Sequence, residues 1–132
     1  MLRRLIILLM LTFIAAPVVS SQTISKEIIS AFEKGDAKKL SVHLNHNLEV
    51  KLYGKISIVS KNQATRLLQD FFDKNSPVSF TVTYEKMKQG SEYGIGELKT
   101  KDATFRVNLY FIVQEKKNLI YKLIIEKSEH VE

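Results

Sequence analysis

Over residues 22–132 the spacing of apolar positions changes several times, and each change falls at a turn residue. Ile24, Ile28 and Phe32 recur every fourth residue with Ala31 beside them, which predicts a helix, and Gly35 supplies a left-handed stop. Asp36 then caps a second, short helix in which Ala37, Leu40 and Leu44 share a face. Over residues 48–54 the period drops to two, the mark of a strand, and residues 56–59 form its hairpin partner. Ser60 and Gln63 make a capping box before a third helix, whose apolar stripe is Ala64, Leu67, Leu68, Phe71 and Phe72. Asn75, Ser76 and Pro77 end it.

From Val78 four alternating runs follow, parted by Gln89-Gly90, Lys101-Asp102 and residues 115–118, which predicts an antiparallel meander. Pairing Leu98 with Phe105 across the Lys101-Asp102 turn sets Gly96 against Val107, Gly94 against Leu109, and Glu97 against Arg106. A three-residue loop before Asn118 sets Val113 beside Leu119, Phe111 beside Tyr121, Leu109 beside Leu123, Val107 beside Ile125, and Arg106 beside Glu126. This register yields one uniformly apolar face and two opposite-charge pairs, whereas a one-residue slip would invert the faces. Phe80, Val82 and Tyr84 join the apolar face opposite Leu98, Gly96 and Gly94.

The first 21 residues have a different pattern. Arg3 and Arg4 precede an apolar run over residues 5–14, broken only by Thr12, and Pro17, Val18, Val19, Ser20 and Ser21 follow. A positive start, an apolar run and small residues at the cut describe a secretory signal peptide. The run is shorter than the ~20 residues that span a bilayer, so no membrane anchor is expected after cleavage. The expected domains are a signal peptide at 1–21 and one domain at 22–132, periplasmic or secreted. Cysteine is absent, which excludes disulfides and a lipid anchor on sulfur. Lys and Arg number 20 against 14 Asp and Glu, a net charge of +6 of which the signal carries two. The remaining excess is scattered, so no nucleic-acid partner is expected.

Three helices and a short hairpin before a curved meander resemble the nuclear transport factor 2-like superfamily. The expected fold is therefore α+β, with three N-terminal helices packed in a curved, mainly antiparallel sheet shaped as a cone. More narrowly, the chain resembles a family of exported bacterial proteins, mainly from Bacteroidetes, known as domain of unknown function 4783. That resemblance rests on Phe32, Gly35-Asp36 and Leu40; residues 50–54; Ser60, Ala64 and Asp70-Phe71-Phe72; Tyr93 with Ile95-Gly96; Phe105-Arg106-Val107; and residues 123–126. These are largely packing positions, so they carry a fold and no chemistry.

Isomerases and dehydratases of the superfamily place an acid or base inside the cone. Here Glu97 is expected outside against Arg106, and Asp70 and Asp73 are expected in solvent, which favours a non-enzymatic binding or interaction module over an enzyme of that type. His43 and His46 are three apart and Glu49 follows, but a zinc site needs three or four ligands held in fixed geometry, His130 lies in the tail, and neither metal nor cofactor is expected. Gly94 and Gly96 clear the inner face where Tyr84 and Tyr121 bring hydroxyls and Phe72 lies near, a site for a small apolar ligand. The same glycines equally make room for packing of the third helix with Phe71 and Phe72. Lys86, Lys88, Lys116 and Lys117 gather at two turns on one end, as a basic lip or as protection of hairpin ends. On the outer face Tyr93, Ile95, Tyr110, Ile112, Ile120 and Ile124 form an apolar patch with a polar edge, the mark of a homodimer contact, and superfamily members often pair through their sheets. Mass spectrometry of the protein from its own cells should find a mature chain starting at Ser21 or Gln22; an intact Met1 form in the membrane fraction would contradict the export signal.

Overall fold

The computed structural model describes residues 23–88 and 90–129. The proposed signal peptide, Gln89 and His130 lie outside the described residues. The elements are α1 (Lys26–Lys34), α2 (Ala37–Ser41), β1 (Leu44–Leu52), β2 (Lys55–Ser60), α3 (Lys61–Lys74), β3 (Pro77–Lys86), β4 (Tyr93–Thr100), β5 (Thr104–Gln114) and β6 (Lys117–Lys127). The strands make one curved, unclosed sheet in the order β2-β1-β6-β5-β4-β3, with the helices on its inner side. Only the β1–β6 junction is parallel.

The helix signals work as local chemistry dictates. The Ser25 hydroxyl accepts from the Ile28 amide at the start of α1. Gly35 ends that helix at φ 62°, and the Asp36 amide donates back to the Ala31 carbonyl at 2.9 Å. Ser60 and Gln63 close the capping box of α3 reciprocally, at 3.2 and 3.0 Å. Three expectations fail here. Ile24 is not on α1, because Ser25 caps that helix and Ile24 precedes the cap. Leu44 is not on α2, because the His43 carbonyl accepts from the Ile120 amide and draws the chain into β1, four residues earlier than the alternation suggests. Leu67 leaves the buried stripe and is 39% exposed, since α3 buries only Ala64, Leu68, Phe71 and Phe72.

Phenylalanine rings meet one another within a largely aliphatic core. Phe32 stacks on Phe80 with centroids 4.6 Å apart and meets Phe72 edge to face at 5.9 Å. Phe71 meets Phe105 edge to face at 5.0 Å. The inner-face glycines are spaces for this packing. A Cβ on Gly94 would lie 2.5 Å from Ile24 Cδ1, and one on Gly96 would collide with the Phe80 ring. Ile24 and Phe80, rather than α3, fill that room.

The β4–β5 register is as expected throughout, and β5–β6 agrees from Arg106 opposite Glu126 to Leu109 opposite Leu123. Beyond Tyr110 it departs. The turn has two residues, Glu115 and Lys116, both left-handed at φ 50° and 64°, so Gln114 pairs with Lys117. Strand β6 is then one residue too long for the register at Leu123, and a bulge at Tyr121 absorbs the excess. Phe111 faces Ile120, and Ile112 faces Leu119. A second bulge lies between Val82 and Tyr84, so Tyr84 pairs with Ile95 and Glu85 with Gly94.

Gly96→Ala should destabilise the protein by about 1–3 kcal/mol, the usual penalty of overfilling a packed core. Adding Phe80→Leu should recover part of the loss, as a double-mutant cycle in chemical denaturation would show; independent, additive effects would contradict this contact.

Candidate interaction face and the expected pocket

The two bulges decide where five expected ligand residues go. A bulge puts two successive side chains on one face, so Tyr84 and Tyr121 both turn outward, 49% and 41% exposed. Neither reaches the inner face. Gly94 and Gly96 lie beneath Ile24 and Phe80, and Phe72 is buried against Phe32. The five residues therefore do not converge on a cavity. Tyr121 borders a hollow of about 390 Å3 with Phe111, Ile112 and Val113 instead.

The inward group that the alternation misses is Glu85. The bulge at Thr83 turns it toward the core side, half-buried, where its Oε1 accepts from the Ile24 amide at 3.1 Å. No local residue pattern announces that bulge, since Phe80, Val82 and Tyr84 alternate as a straight strand would. Glu97 stands opposite Arg106 on the outer face. Asp70 pairs with Lys74 at 3.0 Å in solvent. Of the weighed metal ligands, Glu49 is held by Lys122 Nζ at 3.2 Å and His46 is exposed. Burial pushes the half-buried His43 imidazole below its ordinary pKa. Lys86, Lys88, Lys116 and Lys117 are all exposed at the end of the sheet that carries the β5–β6 turn.

The outer face gains what the pocket loses. Tyr93 lies directly opposite Tyr110, and their rings stack at 5.7 Å. Tyr84 abuts Tyr93 at 5.5 Å, and Tyr121 abuts Tyr110 at 6.4 Å. Four tyrosines thus run in contact across β3, β4, β5 and β6. Ile95 and Ile124 flank Asn108 beside this row, and Ile112 is 38% exposed past its end. Ile120, expected here, is a correction: the one-residue slip beyond Tyr121 places it in the core, fully buried.

Charge borders the row. Lys122 Nζ stands 5.4 Å from the Tyr110 ring centroid, a cation–π distance. Glu97, Arg106 and Glu126 form a transverse line, and Lys51 bonds Glu126 at 2.7 Å, which holds that carboxyl below its ordinary range. Asn108 Oδ1 is buried between its isoleucine neighbours and has no donor among the described residues.

The family model described as domain of unknown function DUF4783 matches residues 25–126. A DUF4783 family protein from Bacteroides ovatus is 30% identical, with a TM-score of 0.79 over 83% of this chain and 100% of its own. One from Bacteroides fragilis is 30% identical, with a TM-score of 0.76 over 80% of this chain and 99% of its own. An NTF-2 like protein of unknown function from Silicibacter pomeroyi shares 14% identity at a TM-score of 0.55, covering 76% of this chain and 86% of its own. The architecture is thus the expected nuclear transport factor 2-like cone. No curated protein matches the chain.

Hydrogen bonding to the Tyr84 hydroxyl is the main reason the Tyr93 phenol is held above its ordinary pKa. In an ultraviolet titration one phenol should ionise above the ordinary value of about 10, and Tyr84→Phe should bring it back down. A Tyr93 phenol that ionises at the ordinary value, or one unmoved by Tyr84→Phe, would contradict this influence of Tyr84 on Tyr93.

Proposed function

The chain belongs to the family described as domain of unknown function DUF4783, and from that premise we propose that it is an exported, non-enzymatic interaction module that pairs with a second copy of itself through the outer sheet face. The row of four touching tyrosines carries this reading. Aromatic rings with exposed edges beside Ile95, Ile112 and Ile124 make an apolar centre, and Glu97, Arg106, Glu126 and Lys122 make a polar border, which is the anatomy of a contact surface. Each tyrosine offers a large area with few torsions to freeze, so little entropy is lost when a partner covers it.

The non-enzymatic part of the reading draws support from Glu85, because the carboxylate that the bulge turns inward is already spent on the Ile24 amide. An isomerase or dehydratase of the cone type would need such a group free to take a proton. Export rests on the signal pattern of residues 1–21.

Sedimentation of the purified protein at high micromolar concentration should give a dimer. Ile112→Lys combined with Ile95→Lys should give a monomer whose melting temperature shows a folded chain, because both side chains lie on the outer face. A monomeric unaltered protein, or a dimer indifferent to both substitutions, would defeat this reading.

A further inference from the structure

The end of the cone opposite the basic turns holds a hollow of about 450 Å3, within the range of small-ligand sites. Its floor is Phe71, Phe105 and Ile125, none more than 6% exposed. The Tyr53 ring, 6.0 Å from Phe71, makes a third aromatic wall. Tyr53 takes a left-handed conformation at φ 53° in the β1–β2 turn, uncommon for a bulky residue. Asn75 holds it there, with Nδ2 donating to the Tyr53 hydroxyl at 3.2 Å and to the Phe71 carbonyl at 3.0 Å. The hydroxyl serves as an acceptor in that bond, so its own proton remains to be donated.

Charges of both signs stand at the rim. Asp102 lies in the β4–β5 turn, and Lys127 follows Leu123 and Ile125 at the next inner-face position of β6, opposite Phe105. Among the described residues neither is in an ion pair, whereas the neighbouring Glu126 is taken by Lys51. An aromatic floor with one free carboxylate, one free ammonium and one phenol proton is complementary to a particular kind of molecule. A simple anion would meet Asp102 unfavourably, and a simple cation would meet Lys127.

We propose that this hollow binds a small zwitterion with an apolar body, the chemical class of the hydrophobic amino acids. The body lies on Phe71, Phe105 and Ile125, the ammonium faces Asp102, and the carboxylate faces Lys127 and the Tyr53 hydroxyl. The site is separate from the outer tyrosine row and stands whether or not the protein dimerises.

Titrating the purified protein with L-phenylalanine, 3-phenylpropionate and phenethylamine, by calorimetry and amide chemical shifts, tests it. Phenylalanine should saturate, with shifts at Phe71, Ala103 and Phe105, and each single-charge analogue should bind about tenfold more weakly, the size of one hydrogen bond to a charged group. Lys127→Met should weaken phenylalanine by about tenfold and strengthen phenethylamine, which loses a like charge; Asp102→Asn should likewise weaken phenylalanine and strengthen phenylpropionate. Both side chains are exposed, so melting temperatures should hold and any lost binding reads as lost contact. The monomeric Ile95→Lys, Ile112→Lys protein should bind as well as the unaltered one. No saturation by about 10 mM phenylalanine, weaker than the affinity class of small polar ligands, or analogues that bind as tightly as phenylalanine, would overturn the proposal.

Discussion

The stack of Phe80 on Phe32, with the Phe80 ring lying over Gly96, is the contact from which the rest of the structure follows. It pins β3 to α1 and admits no side chain at Gly96, so the β3–β4 register must put the glycine there and nowhere else. Ile24 does the same one step along, over Gly94, and the Glu85 carboxylate anchors its amide. Burying one such aromatic or branched side chain is worth about 1.5–3 kcal/mol, enough to outweigh the small loss of a ladder bond at a bulge.

That constraint also explains the outer face. With Ile24 over Gly94, a straight β3 would drive the Tyr84 ring into occupied space, and the bulge at Thr83 turns it outward beside Tyr93. On β6 a two-residue turn offsets the strand by one position, and the bulge at Tyr121 restores the pairing of Leu123 with Leu109. Ile120 thereby enters the core and Tyr121 joins Tyr110. Two local irregularities, one on each side of a regular Tyr93–Tyr110 pair, turn a two-ring contact into a row of four.

The molecule consequently has two separate surfaces with different chemistry. Filling over Gly94 and Gly96 closes the inner face along β3 and β4, and room remains at the other end, where Tyr53, Phe71 and Phe105 meet the β4–β5 turn. The tyrosine row lies on the opposite side of the sheet. A partner can cover one surface without reaching the other.

Much of this was legible from residue order alone. Helix caps, the β4–β5 register, the Glu97–Arg106 and Arg106–Glu126 pairs, and the outward placing of Tyr93, Ile95, Tyr110, Ile112 and Ile124 all follow from periods of two and four and from turn chemistry, which act between near neighbours. The strand alternation that placed those residues also misplaced Tyr84, Tyr121 and Ile120, because a bulge shifts every later side chain and its cause lies in distant contacts. Ile24 is 70 residues from Gly94 in the chain, and no local pattern says that the one will fill the space above the other. The likewise distant Tyr53, Asn75, Asp102 and Lys127 carry no shared motif, and only the closing of the cone brings them to one rim. Sequence determined which residues seek the core and how each element begins and ends; tertiary packing decided which of them found room, because space in a close-packed interior is settled by all of its occupants at once.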